Sequence, residues 1–239
     1  MTTFVICLVV IFIVIVIYAL GAPARVEKRK RDEILKQIKI LQDRYSDYHV
    51  LFSPEHTGLV MDVIDVLSKH GINEFYHVTP VENLNNIFNL FGALLSYQEL
   101  QKYNVPVKYI SNEQSHINDK DKKIENLVKL SFRKIIPMIY SRVKQGEKLA
   151  LLGIDINILY YSDEIYFCPT NATMQGAKYY RMSSNAKELS KMRFDVINAN
   201  HGFARFTPEY AAMQAEVMVK DYIPKKYIRF IKVLDYNDL

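Results

Sequence analysis

An uninterrupted apolar stretch near the N-terminus constrains this chain more than any other feature. Phe4 to Leu20 contains no charged residue, and Gly21 and Ala22 extend it to about the length that spans the hydrocarbon core of a bilayer. A basic cluster at 25–31 follows at once, and the positive-inside rule places such a cluster in the cytoplasm. The sequence therefore predicts a transmembrane anchor over 1–24, with the N-terminus outside and the remainder of a single-pass protein in the cytoplasm. A cleaved signal peptide is the alternative, but no positive side chain precedes the stretch, which is longer than a typical signal core.

The rest of the chain suggests a helical segment followed by one globular domain. Apolar residues recur at helical spacing after residue 25, and a second amphipathic helix is predicted from about His56 to His70, ending at Gly71. We assign 25–72 to a helical stalk and 73–239 to the functional domain. Short strand patterns then dominate, at Leu127–Phe132, Leu149–Ile154, Ile165–Phe167, Met213–Val219 and Ile228–Val233. Strands with helices gathered early in a domain predict an α+β fold.

Several classes of function lack their sequence signals. The two cysteines, Cys7 and Cys168, offer neither a disulfide framework nor the spacing of metal ligands. No glycine-rich loop of the phosphate-binding or dinucleotide-binding type occurs. The net charge of +5 is compatible with nucleic acid or an anionic membrane but diagnostic of neither. A site without metal is therefore expected.

A lone carboxylate near the C-terminus is the strongest signal for chemistry. The loop 198–208 contains Gly202, Phe203 and Phe206, and it leads into the apolar segment Met213–Val219 with Glu216 inside it. An unpaired carboxylate in a buried strand is costly, so Glu216 either has a partner or faces a cleft where its charge is used. A position on the solvent face of an edge strand is the equally plain alternative.

A second signal lies where a strand meets a helix. The strand-like FYHVT at 75–79 runs into Thr79, Pro80 and Glu82, a helix-start signature. His77 ends the strand beside the helix N-terminus, where free backbone N–H groups can hold an anionic ligand. It could bind a ribose there, or be an ordinary half-buried histidine.

Four blocks, in order, resemble the DarT-type ADP-ribosyltransferases, toxins that modify single-stranded DNA. The blocks are FYHVTPVENLNNIFNLFGALLS from residue 75, VKLSFRKIIPMIY from residue 128, Phe167 with Asn171-Ala172, and MQAEVMV from residue 213. The resemblance covers about residues 75–234. It implies an ADP-ribosyltransferase-like mixed β core with helices, NAD as co-substrate and no metal.

The resemblance also implies roles for individual residues. Glu216 would be the catalytic acid that stabilises positive charge on the ribose as the nicotinamide bond breaks. His77, Thr79, Asn83 and Tyr140 would lie in the NAD site. The loop 198–210 would present the target, with Phe203, Arg205 and Phe206 binding it.

One departure from the family concerns a catalytic arginine expected upstream of the aromatic strand. The segment 111–125 contains Lys120, Lys122 and Lys123 but no arginine. Either a lysine supplies the charge, or Arg133 reaches in from the next strand, or the position is lost. Arg133 could also be a solvated surface charge.

The partners follow from this interpretation. We expect single-stranded nucleic acid, DNA before RNA, together with the lipid bilayer, and a neutralising antitoxin protein could be a further partner. The aromatics and cations of the loop suit base stacking, although they could equally pin the loop to the domain. The rival functions are an anchored ADP-ribosyltransferase acting on protein or RNA, and a tethered binding module with the same fold and no activity.

Overall fold

The computed structural model describes residues 28, 29, 32, 54–162 and 164–238. The chain divides into two units, Met1–Ser46 and Asp47–Leu239, and the architecture below is that of the second. The predicted membrane span at 1–24 lies outside the described residues. Across the part of the chain that is described, no helix is both long enough and apolar enough to cross a bilayer. The division into stalk and functional domain at residue 72 stays a prediction.

Residues 54–162 and 164–238 form nine strands and six α-helices. The strands are β1 Glu74–Pro80, β2 Ala93–Leu95, β3 Leu127–Ser131, β4 Leu149–Asp155, β5 Ile165–Cys168, β6 Tyr180–Arg181, β7 Glu216–Lys220, β8 Tyr222–Pro224 and β9 Ile228–Leu234. The helices are α1 Pro54–Lys69, α2 Tyr97–Lys102, α3 Glu113–Asp121, α4 Pro137–Lys144, α5 Phe194–Ile197 and α6 Pro208–Ala212. Short 3-10 turns occupy Val81–Asn83, Ile156–Tyr160, Ser184–Lys191, Lys225–Tyr227 and Tyr236–Asp238, and a π-helical turn occupies Asn86–Leu90. The predicted α+β class is confirmed.

Helix α1 ends where its sequence requires. Gly71 adopts a left-handed conformation with φ of 73°, which glycine reaches without steric cost. The Gly71 N–H donates to Ser68 O and the Ile72 N–H donates to Leu67 O, the pair of bonds that closes a Schellman motif. Val60, Val63 and Leu67 are fully buried, so the apolar face of α1 forms part of the core.

Seven strands form one sheet in the order β6-β5-β7-β3-β1-β4-β9, and β2 pairs with β8 in a small second sheet. Every neighbouring pair is antiparallel. β4 is buried along almost its whole length, so both faces of the sheet are covered at this strand. The functional residues lie on the central strands β1, β3 and β7.

The central strands β1 and β3 are paired at a single position and then separate. β1 pairs with β4 over seven residues, but it pairs with β3 only where Tyr76 lies opposite Ser131. Beyond that point the His77 ring, and not the backbone, bonds to the carbonyl of Lys129. A side chain that replaces a ladder hydrogen bond leaves space between the strands, and a cavity opens there.

The predicted strand Met213–Val219 is wrong for its first three residues. Helix α6 ends at Ala212, Met213 and Gln214 form a turn, and β7 begins at Glu216. Thr207 caps α6 by accepting a hydrogen bond from the Tyr210 N–H, with Pro208 in the first turn, so a short helix and its closing turn precede the strand. Glu216 therefore lies at the start of its strand and not in the middle.

Candidate active site

Glu216 is the first residue of the central strand β7, and it lines a cavity. It lies opposite Ser131 on β3 and Cys168 on β5, and residues paired in this way share one face of the sheet. Its Oε2 atom accepts a hydrogen bond of 2.8 Å from the Ala172 N–H. Burial raises the pKa of the Glu216 carboxyl from 4.5 to about 7, although the charge of Lys129 and the Ala172 bond act against that rise.

The donor to Glu216 belongs to a turn that is held from two sides. Asn171 accepts a hydrogen bond of 2.9 Å from the Thr173 N–H, which folds the chain tightly around Ala172. Lys122, at the end of α3, donates to the carbonyls of Ala172 and Met174. The Asn171-Ala172 pair of the sequence therefore positions a backbone N–H against the carboxylate.

A cavity of about 490 Å³ opens between β1, β3 and α3 in front of Glu216. It has the size of an ordinary small-molecule site, and its lining mixes apolar walls with a few polar groups. Of the nine residues predicted for the site, the structure brings five to this cavity: Glu216, Arg133, His77, Thr79 and Asn83.

His77 is neutral and oriented. Burial lowers the pKa of the His77 imidazole, and the Nδ1 atom lies 3.0 Å from the carbonyl oxygen of Lys129. Because a carbonyl oxygen only accepts, Nδ1 carries the proton, and Nε2 is left as a hydrogen-bond acceptor. Such an acceptor suits a ligand hydroxyl.

The side-chain amide of Asn83 forms hydrogen bonds with other residues of the protein. Its amide nitrogen donates to Thr79 Oγ1 at 3.0 Å and to Lys108 O at 2.8 Å, and its Oδ1 accepts from the Lys108 N–H at 3.0 Å. The amide thus fastens the segment around Lys108, which forms one wall of the cavity. Thr79 and Asn83 shape the site through this wall.

Arg133 lies between the cavity and a second, larger groove. Its guanidinium donates to Val196 O at 3.1 Å and to His201 O at 3.3 Å, and burial lowers its pKa. The groove has a volume of about 1310 Å³, and Arg133 lines both spaces. Arg133 is therefore a half-buried residue shared by the two spaces, and its predicted catalytic role stays a prediction.

Three of the four remaining predicted residues line the groove and not the cavity. Tyr140 lines the groove and is absent from the lining of the cavity. Phe203 also lines the groove, where it packs on the buried cluster of Val196, Ala212 and Met213. Arg205 is exposed at the groove, while Phe206 has a positive φ and is 99% exposed.

Residues that the sequence did not single out complete the cavity. Lys129 and Asp119 form an ion pair in its lining, and Tyr97 stacks on His116 with ring centroids 4.2 Å apart. Lys129 could have been found from the alternation of β3, because it shares a face with Ser131. Asp119 and His116 could not, since nothing in the polar segment 111–125 indicates which side of a helix faces a ligand. Within 54–162 and 164–238 no cluster of three or more potential metal ligands occurs.

The fold and this cavity, with its carboxylate at the start of a central strand, define the class of ADP-ribosyltransferases. The chain belongs to the DarT family: the model of the family described as ssDNA thymidine ADP-ribosyltransferase, DarT, matches residues 76–238. This membership confirms the predicted enzyme class, an NAD-dependent ADP-ribosyltransferase. No curated protein sequence matches the chain.

Solved structures of the same family share the fold. The chain is 20% identical to Thermosipho africanus DarTG in complex with ADP-ribose, with a TM-score of 0.57, over 70% of this chain and 45% of that one. It is 19% identical to Thermus sp. 2.9 DarT in complex with ADP-ribosylated ssDNA (TM-score 0.55) and 18% identical to the same DarT in complex with NAD+ (TM-score 0.53). Both matches cover 70% of this chain and 84% of the Thermus chain. The chain therefore spans less than half of the DarTG chain.

Proposed function

We propose that this protein transfers ADP-ribose from NAD to a base of single-stranded DNA, with thymidine as the acceptor that the family description names. The observation that carries the proposal is the Glu216 carboxylate, which the Ala172 N–H holds in the lining of a ligand-sized cavity that also contains a neutral histidine. The structural neighbours that bind NAD+ and ADP-ribosylated ssDNA support both substrates.

The cavity suits the nucleotide end of this reaction. Its volume is that of a drug-sized ligand site, and the Nε2 acceptor of His77 can take a hydrogen bond from a ribose hydroxyl. The wall that Asn83 fastens encloses the same space, so water is partly excluded from it. Exclusion of water strengthens the effect of a nearby charge on the reacting centre.

Glu216 would then act twice in one substitution at the ribose. As the bond from the ribose C1′ to the nicotinamide nitrogen breaks, its electron pair leaves with nicotinamide and positive charge develops on the ribose. The carboxylate stabilises that charge electrostatically. The new bond joins C1′ to a nitrogen of the acceptor base, and the proton that this nitrogen releases passes to the carboxylate.

The groove on the far side of Arg133 would carry the DNA strand. Arg133, Lys134, Lys144 and Arg205 line it, and Glu74 is the only acidic residue among the described lining residues. Basic side chains beside aromatic ones are the usual features of a surface that binds single strands. The exposed Phe206 lies on the same loop, where it could stack on a base.

The location of the enzyme is proposed from sequence. The apolar stretch at 4–20 and the basic cluster at 25–31 support an anchor with the functional domain on the cytoplasmic side. NAD is available there, so location and chemistry agree. An anchored enzyme would act on nucleic acid or protein near the inner face of the membrane.

The test supplies several acceptors to the full-length protein with NAD labelled in the ADP-ribose part. We expect label on single-stranded DNA that contains thymidine, and none on an otherwise identical strand in which every thymidine is replaced by deoxycytidine. Label on RNA or protein alone would change the acceptor and keep the enzyme class. If no label moves and no nicotinamide is released, the protein is a binding module and the proposal fails.

A further inference from the structure

Two charged residues beside Glu216 have no part in the chemistry described so far. Lys129 of β3 and Asp119 of α3 form an ion pair in the lining of the cavity. Ser131 lies directly opposite Glu216, and Lys129 precedes Ser131 by two positions on the same face. Lys129 is therefore a diagonal neighbour of Glu216, and such neighbours lie roughly 7–8 Å apart across a sheet.

Stability is a poor explanation for this ion pair. The side chains of Lys129 and Asp119 are only 20% and 10% exposed. Taking two charges out of water costs about as much as their attraction returns, so buried pairs are weak contributors to stability. A pair placed next to a buried carboxylate, however, changes the electrostatic potential at that carboxylate.

The other groups around Glu216 that can carry a charge are Lys122, His77 and Cys168. Lys122 of α3 is bound by the carbonyls of Ala172 and Met174, and His77 of β1 is neutral because burial lowers its pKa. Burial raises the pKa of the Cys168 thiol on β5, which keeps it protonated. Lys122 keeps its positive charge in its bonds to the two carbonyls and also favours the ionised form of Glu216. Lys129 and Asp119 differ from it in being a pair of opposed charges in the lining of the cavity.

We propose that Lys129 and Asp119 are positioning residues that set the charge state of Glu216 in opposite directions. Lys129 favours the ionised carboxylate, and Asp119 limits that effect by holding the ammonium group and by adding its own negative charge. The balance keeps both the ionised and the protonated form of Glu216 accessible near neutral pH. A group that first stabilises a cation and then accepts a proton needs both forms. The catalytic benefit of this balance rests on the proposed function. The effect of Lys129 and Asp119 on the ionisation of Glu216 does not.

The test follows the ionisation of Glu216 by NMR in the full-length protein. With ¹³C-labelled glutamate, the Glu216 carboxyl signal is the one that Glu216→Gln removes, and its shift against pH gives the midpoint. We expect Lys129→Met to raise the midpoint and Asp119→Asn to lower it, each by about one pH unit. The double variant should return towards the wild type. Asp65→Asn, which breaks the exposed Asp65–Lys69 pair on α1, is the matched control and should leave the midpoint unchanged.

Midpoints that move in the same direction, or that do not move, would overturn the proposal. A merely structural pair would disturb both variants alike and could not produce opposite shifts. If Lys129→Met does not fold, Asp119→Asn decides alone: a lowered midpoint supports the proposal, and an unchanged or raised one overturns it. The titration needs neither NAD nor DNA, so its outcome is separate from that of the label-transfer test.

Discussion

Burial and a single backbone donor shape the behaviour of Glu216. A carboxyl in such a site prefers the neutral form, because only the Ala172 N–H and nearby lysines favour the charged form. Catalysis of the proposed kind needs the charged form, since a neutral carboxyl cannot stabilise a cation. A pKa of about 7 leaves the two forms nearly balanced at neutral pH.

The first prediction concerns the pH dependence of transfer. The rate should rise as pH increases through about 7, because Glu216 ionises in that range. The measurement is the initial rate of ADP-ribose transfer between roughly pH 5.5 and pH 8.5, a range that brackets the ionisation. A rate that stays flat across this range would remove the ionisation of Glu216 from the rate-limiting step.

The same pKa shift affects stability. The folded pKa of Glu216 lies above its unfolded value of 4.5, so the unfolded chain releases this proton first as pH rises. The contribution of the group is therefore fully present below 4.5 and is lost as pH rises through about 7. Glu216→Gln should lose less stability than the wild type between these values, as urea unfolding at either end of the range can measure.

At the scale of residues, the sequence indicates Glu216 and His77 because each stands out from its neighbours. A charge in an apolar segment and a histidine in a strand-like run are local signals, although His77 lies in the middle of β1 and not at its predicted end. Lys129 and Asp119 form a pair only after β3 and α3 come together, ten positions apart in sequence. Local patterns do not record which polar side chains of two elements meet.

The turn between β5 and β6 allows a test at the scale of elements. Lys122→Met removes the bonds to the carbonyls of Ala172 and Met174 while keeping a long side chain. The Ala172 N–H should then be held less firmly against Glu216, and transfer should fall roughly tenfold, the scale of one weakened hydrogen bond to a charged group. Lys120→Met, an exposed change on the same helix, is the control. Equal activity of the two variants would contradict a role for the turn.

The contact between β4 and β9 allows a second test at this scale. A Cβ atom at Gly153 would lie 2.1 Å from the ring of Phe230, so Gly153→Ala forces the ring or the strand to move. We expect the free energy of unfolding to fall by about 1–3 kcal/mol, the usual cost of overpacking. Gly58→Ala, on α1 with no atom within 4 Å, should be neutral or stabilising. Chemical denaturation of both variants measures the difference.

Strand periodicity predicts the sheet well and the helices near the site poorly. Five strands and the end of α1 at Gly71 follow from alternation and from turn residues. The predicted start of β7 is wrong because Met213 and Ala215 are apolar residues at alternate positions, a pattern that a turn after a helix can also show. The cap at Thr207 and Pro208 was the available signal for the helix.

At the scale of the whole molecule, the cavity and the groove meet at Arg133. Arg205 lies only on the groove, so Arg205→Ala should weaken binding of single-stranded DNA by roughly three- to tenfold and reduce its salt dependence, as loss of one phosphate contact does. Release of nicotinamide in the absence of DNA should be unchanged. Lys69→Ala, which removes a charge outside the groove lining, is the control, and equal DNA affinity of the two variants would place the strand elsewhere.

The proposed anchor also belongs to this scale. A cysteine introduced at the exposed Asn237 should resist a membrane-impermeant thiol reagent in intact cells and react after lysis. Reaction in intact cells would place the domain outside, away from NAD. The sequence alone carries this expectation, because the apolar stretch lies outside the described residues.

The most direct test of the account replaces one carboxylate. Glu216→Gln keeps the shape of the side chain and its bond to Ala172 but removes the charge. We predict that the variant folds and binds NAD like the wild type, while transfer to thymidine-containing single-stranded DNA falls by about two or more orders of magnitude, the scale of one electrostatic and acid–base contribution. Transfer at a rate near that of the wild type would remove Glu216 from the mechanism and contradict the account.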